Sequence, residues 1–198
     1  MRGGNRKSAP KVRDGKVQRK NRAPETPHWS NQPPGQPIIE RQRPGDGYRH
    51  VLKVRDVERF IAILPDWDEL SRDLKAVLLA PGEFDTAGWH TPGVVAICAA
   101  NRDLTSLQDF AFYDAHADIY ERLNISCERK HNGVLVHFDE QSKRGWQLMH
   151  IFLHELGHHH DRITTRSKIG TARGETYAEQ YALKYADLLW DRYFREFD

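Results

Sequence analysis

Two unbroken apolar runs anchor the chain, Ala76–Ala80 and Val94–Cys98. Pro81-Gly82 closes the first and Pro92-Gly93 precedes the second. Runs this short, bounded by turn-forming pairs, predict buried strands. Upstream, Asp56 is placed to cap a short helix over residues 57–64, which Pro65 ends. Pro65-Asp66-Trp67 then opens a second short helix to residue 73. Downstream, Thr105 or Ser106 starts a predicted helix that runs to residues 120–123. Residues 125–129 and 134–138 flank His131-Asn132-Gly133, and Asn-Gly between two β-prone runs predicts a hairpin. Two long helices, over 144–162 and 173–197, complete the pattern. This order of elements predicts an α+β fold with a sheet of three to four strands.

Residues 1–50 show no such period. Their apolar residues are scattered (Val12, Val17, Trp29, Ile38, Ile39), and they hold 7 of the 10 prolines. They carry 12 Lys or Arg against 4 Asp or Glu, while residues 51–198 carry 18 against 24. A formal net charge of +2 therefore conceals a basic first quarter and an acidic remainder. So few apolar residues cannot offset the entropy of ordering, which predicts a disordered, basic, Pro-rich arm over 1–50 and one domain over 51–198. The arm's charge suits contacts with nucleic acid or an acidic partner, and equally a solubilising tail.

Composition narrows the setting. No run approaches the roughly 18–20 apolar residues that span a bilayer, so no membrane insertion is expected. The basic N-terminus lacks the apolar stretch of a secretory signal. Two cysteines, Cys98 and Cys127, exclude a disulfide framework and an all-cysteine zinc site. Both fall in predicted strands and read as buried thiols. A cytoplasmic location follows as the expectation, and leaves the sequon Asn124-Ile125-Ser126 idle.

The chemistry concentrates in Leu148-Met149-His150-Ile151-Phe152-Leu153-His154-Glu155-Leu156-Gly157-His158. His154, Glu155 and His158 make the pattern H-E-x-x-H. On a helix, positions i and i+4 share a face, so two imidazoles can reach one metal ion, and zinc suits them. Glu155 lies beside the first histidine, where its carboxylate can reach a water on the metal as general base without ligating the metal. Apolar residues surround these polar groups, which are costly to bury unless something satisfies them. A third ligand is needed. Glu175 can supply it from the last helix, and Glu179, one turn on, can accept a hydrogen bond from the far nitrogen of a ligating histidine. Small Ala178 and Ala182 would let that helix approach closely. His159, His160 and Asp161 directly after the motif are the competing ligands, with a polar, dipole-stabilising end of the helix as their simpler role. His150, one turn before His154, fits either a pocket wall or a hydrogen-bonded core histidine.

This constellation resembles the gluzincin metallopeptidases, whose pattern is HExxH followed by E-x-x-A-D/N-x-F-A on the next helix. Here the second part reads Glu175-x-x-Ala178-Glu179-x-Tyr181-Ala182, and the resemblance covers residues 150–190. It implies a zincin-like fold with an active-site helix and a C-terminal ligand helix. It implies one Zn2+ per chain, held by His154, His158 and Glu175, with Glu155 as general base and Glu179 in place of the family's Asp or Asn. The implied activity is hydrolysis of a protein or peptide substrate by a metal-activated water. Zincins also place an edge strand before the metal helix, where substrate adds as a further strand, and residues 134–138 are positioned for that role. Oxyanion stabilisation needs a donor, and Tyr177, Tyr181, Arg173 and His90 are the candidates. Two other functions fit the same residues: a zinc-binding regulatory or scaffold protein without turnover, and a nucleic-acid-associated protein acting through the basic arm.

Overall fold

In a computed structural model, residues 28–165 and 173–197 are described, together with the short antiparallel pair β1 (Val12–Arg13) and β2 (Lys16–Val17). The two apolar runs form strands β5 (Ala76–Ala80) and β7 (Val94–Cys98), and every residue in both is buried. They lie side by side in parallel at the centre of a four-stranded sheet of order β3-β5-β7-β6. Alternation explains why both faces must be apolar. Val77, Leu79, Val95 and Ile97 face the main helical core. Ala76, Leu78, Ala80, Val94, Ala96 and Cys98 face the other way, where Trp29, Ile38 and Trp89 pack over them.

The flanking strands move the expected domain boundary. β3 (Ile38–Arg41) pairs in parallel with β5, and β4 (Tyr48–Arg49) pairs with β8 (Ala100–Asn101). The domain therefore includes residues 28–50, which the composition had assigned to a disordered arm. The reason is that an edge strand needs little apolar surface: Ile39 serves one face, Ile38 the other, and β5 satisfies the backbone. The rest of the predicted arm, apart from β1 and β2, lies outside the described residues. On the opposite edge, β6 (Gly88–Thr91) runs antiparallel to β7.

The hairpin forms as β10 (Ser126–Lys130) and β11 (Gly133–His137), with His131 and Asn132 in the turn and Gly133 paired to Lys130. Gly133 is required by packing, because a Cβ there would lie 2.3 Å from the Gln108 carbonyl oxygen. That oxygen belongs to β9 (Thr105–Gln108), which occupies the start of the predicted 105–123 helix and pairs with β11. Helix resumes only at α3 (Phe110–Ala115), capped by the Asp109 side chain, and α4 (Ala117–Arg122). The order β10-β11-β9 makes β11 a central strand. It cannot receive a substrate strand, so the edge role expected of residues 134–138 falls away.

Two short helices form where they are expected, but α1 (Val54–Ile63) begins three residues before the predicted start, with Lys53 and not Asp56 at its N-cap, and α2 (Trp67–Leu70) stops short of residue 73. Asp56 sits one turn inside α1, where its carboxylate accepts the Lys53 N–H at 2.8 Å. One long helical segment starts at a reciprocal cap between Asp139 and Ser142. It runs as α5 (Glu140–Trp146), a π-helical turn (Gln147–Phe152) and α6 (Leu153–Thr164). The last helix, α7 (Gly174–Phe197), packs against α6 at Gly157, where a Cβ would lie 2.8 Å from the Ala178 Cα. Ala178 and Ala182 are fully buried there, as their small size predicts. The fold is mixed α/β, with two main sheets and the long helices contributing to one main core cluster. Among the described residues no helix is long and apolar enough to cross a membrane.

Candidate metal centre

His154 and His158 stand one turn apart on α6 and present their Nε2 atoms to one point. Glu175, in the first turn of α7, reaches the same point. Its Oε2 lies 3.2 Å from His154 Nε2 and 3.4 Å from His158 Nε2. Metal–donor bonds of about 2.0–2.1 Å at tetrahedral angles place neighbouring donor atoms about 3.3–3.4 Å apart. The two distances from Glu175 match that spacing, and all three donor atoms lie within 4.8 Å of one another, so the set could hold one four-coordinate ion with a position left open. Two imidazoles and a carboxylate are also the donor chemistry of hydrolytic zinc sites.

The neighbours hold this arrangement. His154 Nδ1–H donates to Glu179 Oε2 at 3.1 Å, which leaves Nε2 with its lone pair for a metal. Burial opposes charge on Glu179, yet the His116 and His154 rings beside it hold its carboxyl well below the usual range. The start of α7 is fixed by Asp161. This fully buried carboxylate accepts the Arg173 backbone N–H at 2.7 Å and the Arg173 Nε–H at 2.8 Å. Glu175 follows two residues later, so Asp161 orients a donor rather than acting as one.

Glu155 lies beneath β6. It is buried, and a Cβ on Gly88 would come within 2.8 Å of its Oε1, so only glycine fits in the strand at that point. Burial pushes its carboxyl up to about 7, with His154 pulling it down and Glu175 raising it. A carboxylate of that basicity accepts a proton at neutral pH and can give it back. The site opens into a cleft of 560 Å³ walled by Gly88, Trp89 and His90 of β6 on one side and by His150, Ile151, His154, Glu155 and His158 on the other. β6 is a sheet edge, so its backbone flanks the cleft.

The residues after the motif point elsewhere. His159 is fully buried, and its Nε2–H donates to the Arg72 carbonyl at 2.8 Å. Burial holds it neutral, pushed down to about 4. His160 Nδ1 is hydrogen-bonded to the Tyr177 hydroxyl at 2.7 Å. These contacts replace the polar, charged helix end expected there: His159 and Asp161 are interior struts, and none of the three residues joins His154 and His158. His150 lines the cleft, but its Nδ1 is buried without a hydrogen-bond partner.

Of the four oxyanion candidates, only His90 lines the cleft, with its ring stacked 6.4 Å from that of His158. Tyr177 is bound to His160, Arg173 to Asp161, and Tyr181 stacks on Tyr185. Cys98 is buried, its thiol pushed up to about 11 by desolvation and by Glu155 and Glu83, which makes it a poor nucleophile. Cys127 is only half-buried.

Sequence reasoning missed two contributors. β6 carries the residues Gly-Trp-His-Thr, which lack a strand's apolar alternation, although Gly88 next to an aromatic was a readable sign of close backbone approach. His116, whose Nε2 is 3.0 Å from Glu179 Oε1, had no periodic or motif context at all. Comparison with protein-family models, with curated proteins and with solved structures finds no match to this chain.

Proposed function

We propose that this protein is a zinc-dependent hydrolase of zincin-like architecture that cleaves peptide bonds. The observation that carries the reading is the convergence of His154, His158 and Glu175, with Glu175 Oε2 at 3.2 and 3.4 Å from the two Nε2 atoms, beside a buried carboxylate, Glu155, in a cleft bounded by a sheet edge. His154, His158 and Glu175 would hold the zinc ion, which would supply Lewis acidity toward a carbonyl and a water. The chain's own residues do the rest. Glu155 takes a proton from the attacking water and passes it to the leaving amine. Its carboxyl, poised near neutrality, suits both halves of that transfer. Glu179 keeps His154 in the tautomer whose Nε2 can bind metal. The free edge of β6 can pair with an extended peptide, which orients the scissile bond along the cleft. His90, the oxyanion candidate that lines the cleft, would be the donor to the developing oxyanion; burial and the nearby His159 and His158 hold it neutral, at about 4.

The test combines metal content with turnover. Elemental analysis of His154→Ala and Glu175→Ala should show zinc lost from the cleft. Glu155→Gln should keep its zinc and lose about 10²–10⁴-fold in hydrolysis of a peptide library scored by mass spectrometry. A zinc content in Glu175→Ala equal to that of the wild type would remove the proposed donor set. Cleavage unchanged in Glu155→Gln would remove the hydrolytic role.

A further inference from the structure

Beside the cleft lies a second cluster that the proposed hydrolysis does not use. His116, between α3 and α4, His150, in the π-helical turn, and Glu179, on α7, each bring one donor atom to within 4.8 Å of the others. His116 and His150 are 4 % and 3 % exposed. We propose that these three residues form a second, buried site for a divalent first-row transition metal.

Three observations support it. Among the described residues, His116 Nε2, His150 Nδ1 and Glu179 Oε1 are buried polar atoms without a hydrogen-bond partner. The 3.0 Å approach of His116 Nε2 to Glu179 Oε1 lacks the alignment a hydrogen bond needs. Three neighbouring residues that each leave a buried polar atom unsatisfied call for something else to satisfy them. Next, His116 is set up as a ligating histidine is: its Nδ1–H donates to the Phe112 carbonyl at 2.6 Å, which fixes the tautomer and leaves the Nε2 lone pair free. His154 is held in the same way by Glu179, so the two carboxylate oxygens face one histidine ligand of each site. Last, π-helical turns are rare and concentrate at functional sites, and this one carries His150 toward His116, with ring centroids 4.5 Å apart. Phe112, His150 and Glu179 also line the cleft, which gives an ion a way in.

Two imidazoles and one carboxylate suit Zn2+, Co2+ or Fe2+ and leave coordination positions open. Glu179 would thus serve twice, ligating the buried ion through Oε1 and orienting His154 through Oε2. The inference stands apart from peptide hydrolysis, since metal occupancy alone decides it.

The experiment is equilibrium dialysis of the metal-stripped full chain against Zn2+ and against Co2+, followed by elemental analysis. Two ions per chain are expected in the wild type, and one each in His116→Asn, His150→Asn and His158→Asn. Co2+ in His158→Asn should still give visible d–d absorption, and the double variant His116→Asn/His158→Asn should lose it. Circular dichroism identifies any variant that fails to fold, and the wild-type count needs no variant. A wild-type count of none overturns the proposal, as does a count of one that His116→Asn leaves in place. A single ion lost in His116→Asn but kept in His158→Asn would retain the buried site and eliminate the cleft site instead.

Discussion

Two clusters of the same composition, two histidines and a glutamate each, sit on either side of one hydrogen bond. The cleft cluster (His154, His158, Glu175) borrows both histidines from a single helix face, and its glutamate is largely exposed, with 82 % of the side-chain surface free. The interior cluster (His116, His150, Glu179) draws one residue from each of three elements and has both histidines almost wholly buried. Exposure and open coordination belong to chemistry on a substrate. Burial and fixed geometry belong to holding a group in place. Glu179 joins the two, with one oxygen for each.

The sharpest break in that comparison is Glu179→Gln. The amide keeps one acceptor for His154 but gives up the charge that faces the His116 and His150 rings. Metal affinity in the interior cluster should be lost outright, and affinity in the cleft should weaken by about 10-fold, the lower end of what loss of a ligand-orienting partner costs. Competition titration with a chelator reads both. Equal weakening at the two places would mean that Glu179 is no ligand.

How much of this was legible follows from the same contrast. The i, i+4 spacing of His154 and His158 is a local property of one helix, so the sequence displays it directly. Glu175 and Glu179 are also one turn apart, and their position at the start of a second long helix made them readable as partners. The interior cluster depends on tertiary approach and on a π-helical turn that periodic patterns do not reveal. The strands divide likewise. β5 and β7 advertise themselves because both faces are buried. β3, β6 and β9 are short and half-polar; β3 and β9 gain their partners from strands distant in sequence, and β6 pairs across the Pro92-Gly93 turn without an apolar alternation of its own to mark it. The sequence predicts strands over 76–80, 94–98, 125–129 and 134–138 in a sheet of three to four strands, yet the hairpin pairs with β9 in a sheet of its own.

A second difference lies in what anchors each glutamate. Glu175 depends on Asp161, whose carboxylate binds the first residues of α7. Asp161→Ala should destabilise the fold by about 1–2 kcal/mol, as loss of a buried helix-capping side chain does, read by denaturant unfolding. It should also weaken metal binding in the cleft while sparing the interior cluster. Burial works against the Asp161 charge, but its bonds to Arg173 hold the carboxyl below its ordinary 3.8. A depressed folded-state value stabilises above the unfolded one, so this contribution is present at neutral pH and disappears as pH falls below 3.8. In Asp161→Ala the acid limb of the stability profile should therefore be shallower.

The smallest expected effect separates the clusters by tolerance. A Cβ at Gly157 would lie 2.8 Å from Ala178 Cα and 3.0 Å from its carbonyl oxygen, so Gly157→Ala must push α7 outward from α6. Overpacking costs about 1–3 kcal/mol, and alanine's better helix propensity returns about 1, leaving a net loss of about 1 kcal/mol. The cleft cluster spans the gap between these helices, and the interior cluster ties α7 to the π-helical turn that leads into α6, so both should respond, but unequally. The Glu175 side chain is exposed and can follow His154 and His158 by a change of rotamer. Glu179 is held between His116 and His154 and has no such freedom. Chelator competition on Gly157→Ala should therefore show interior affinity falling more than cleft affinity, and the reverse order would mean that the exposed glutamate is the more tightly constrained of the two.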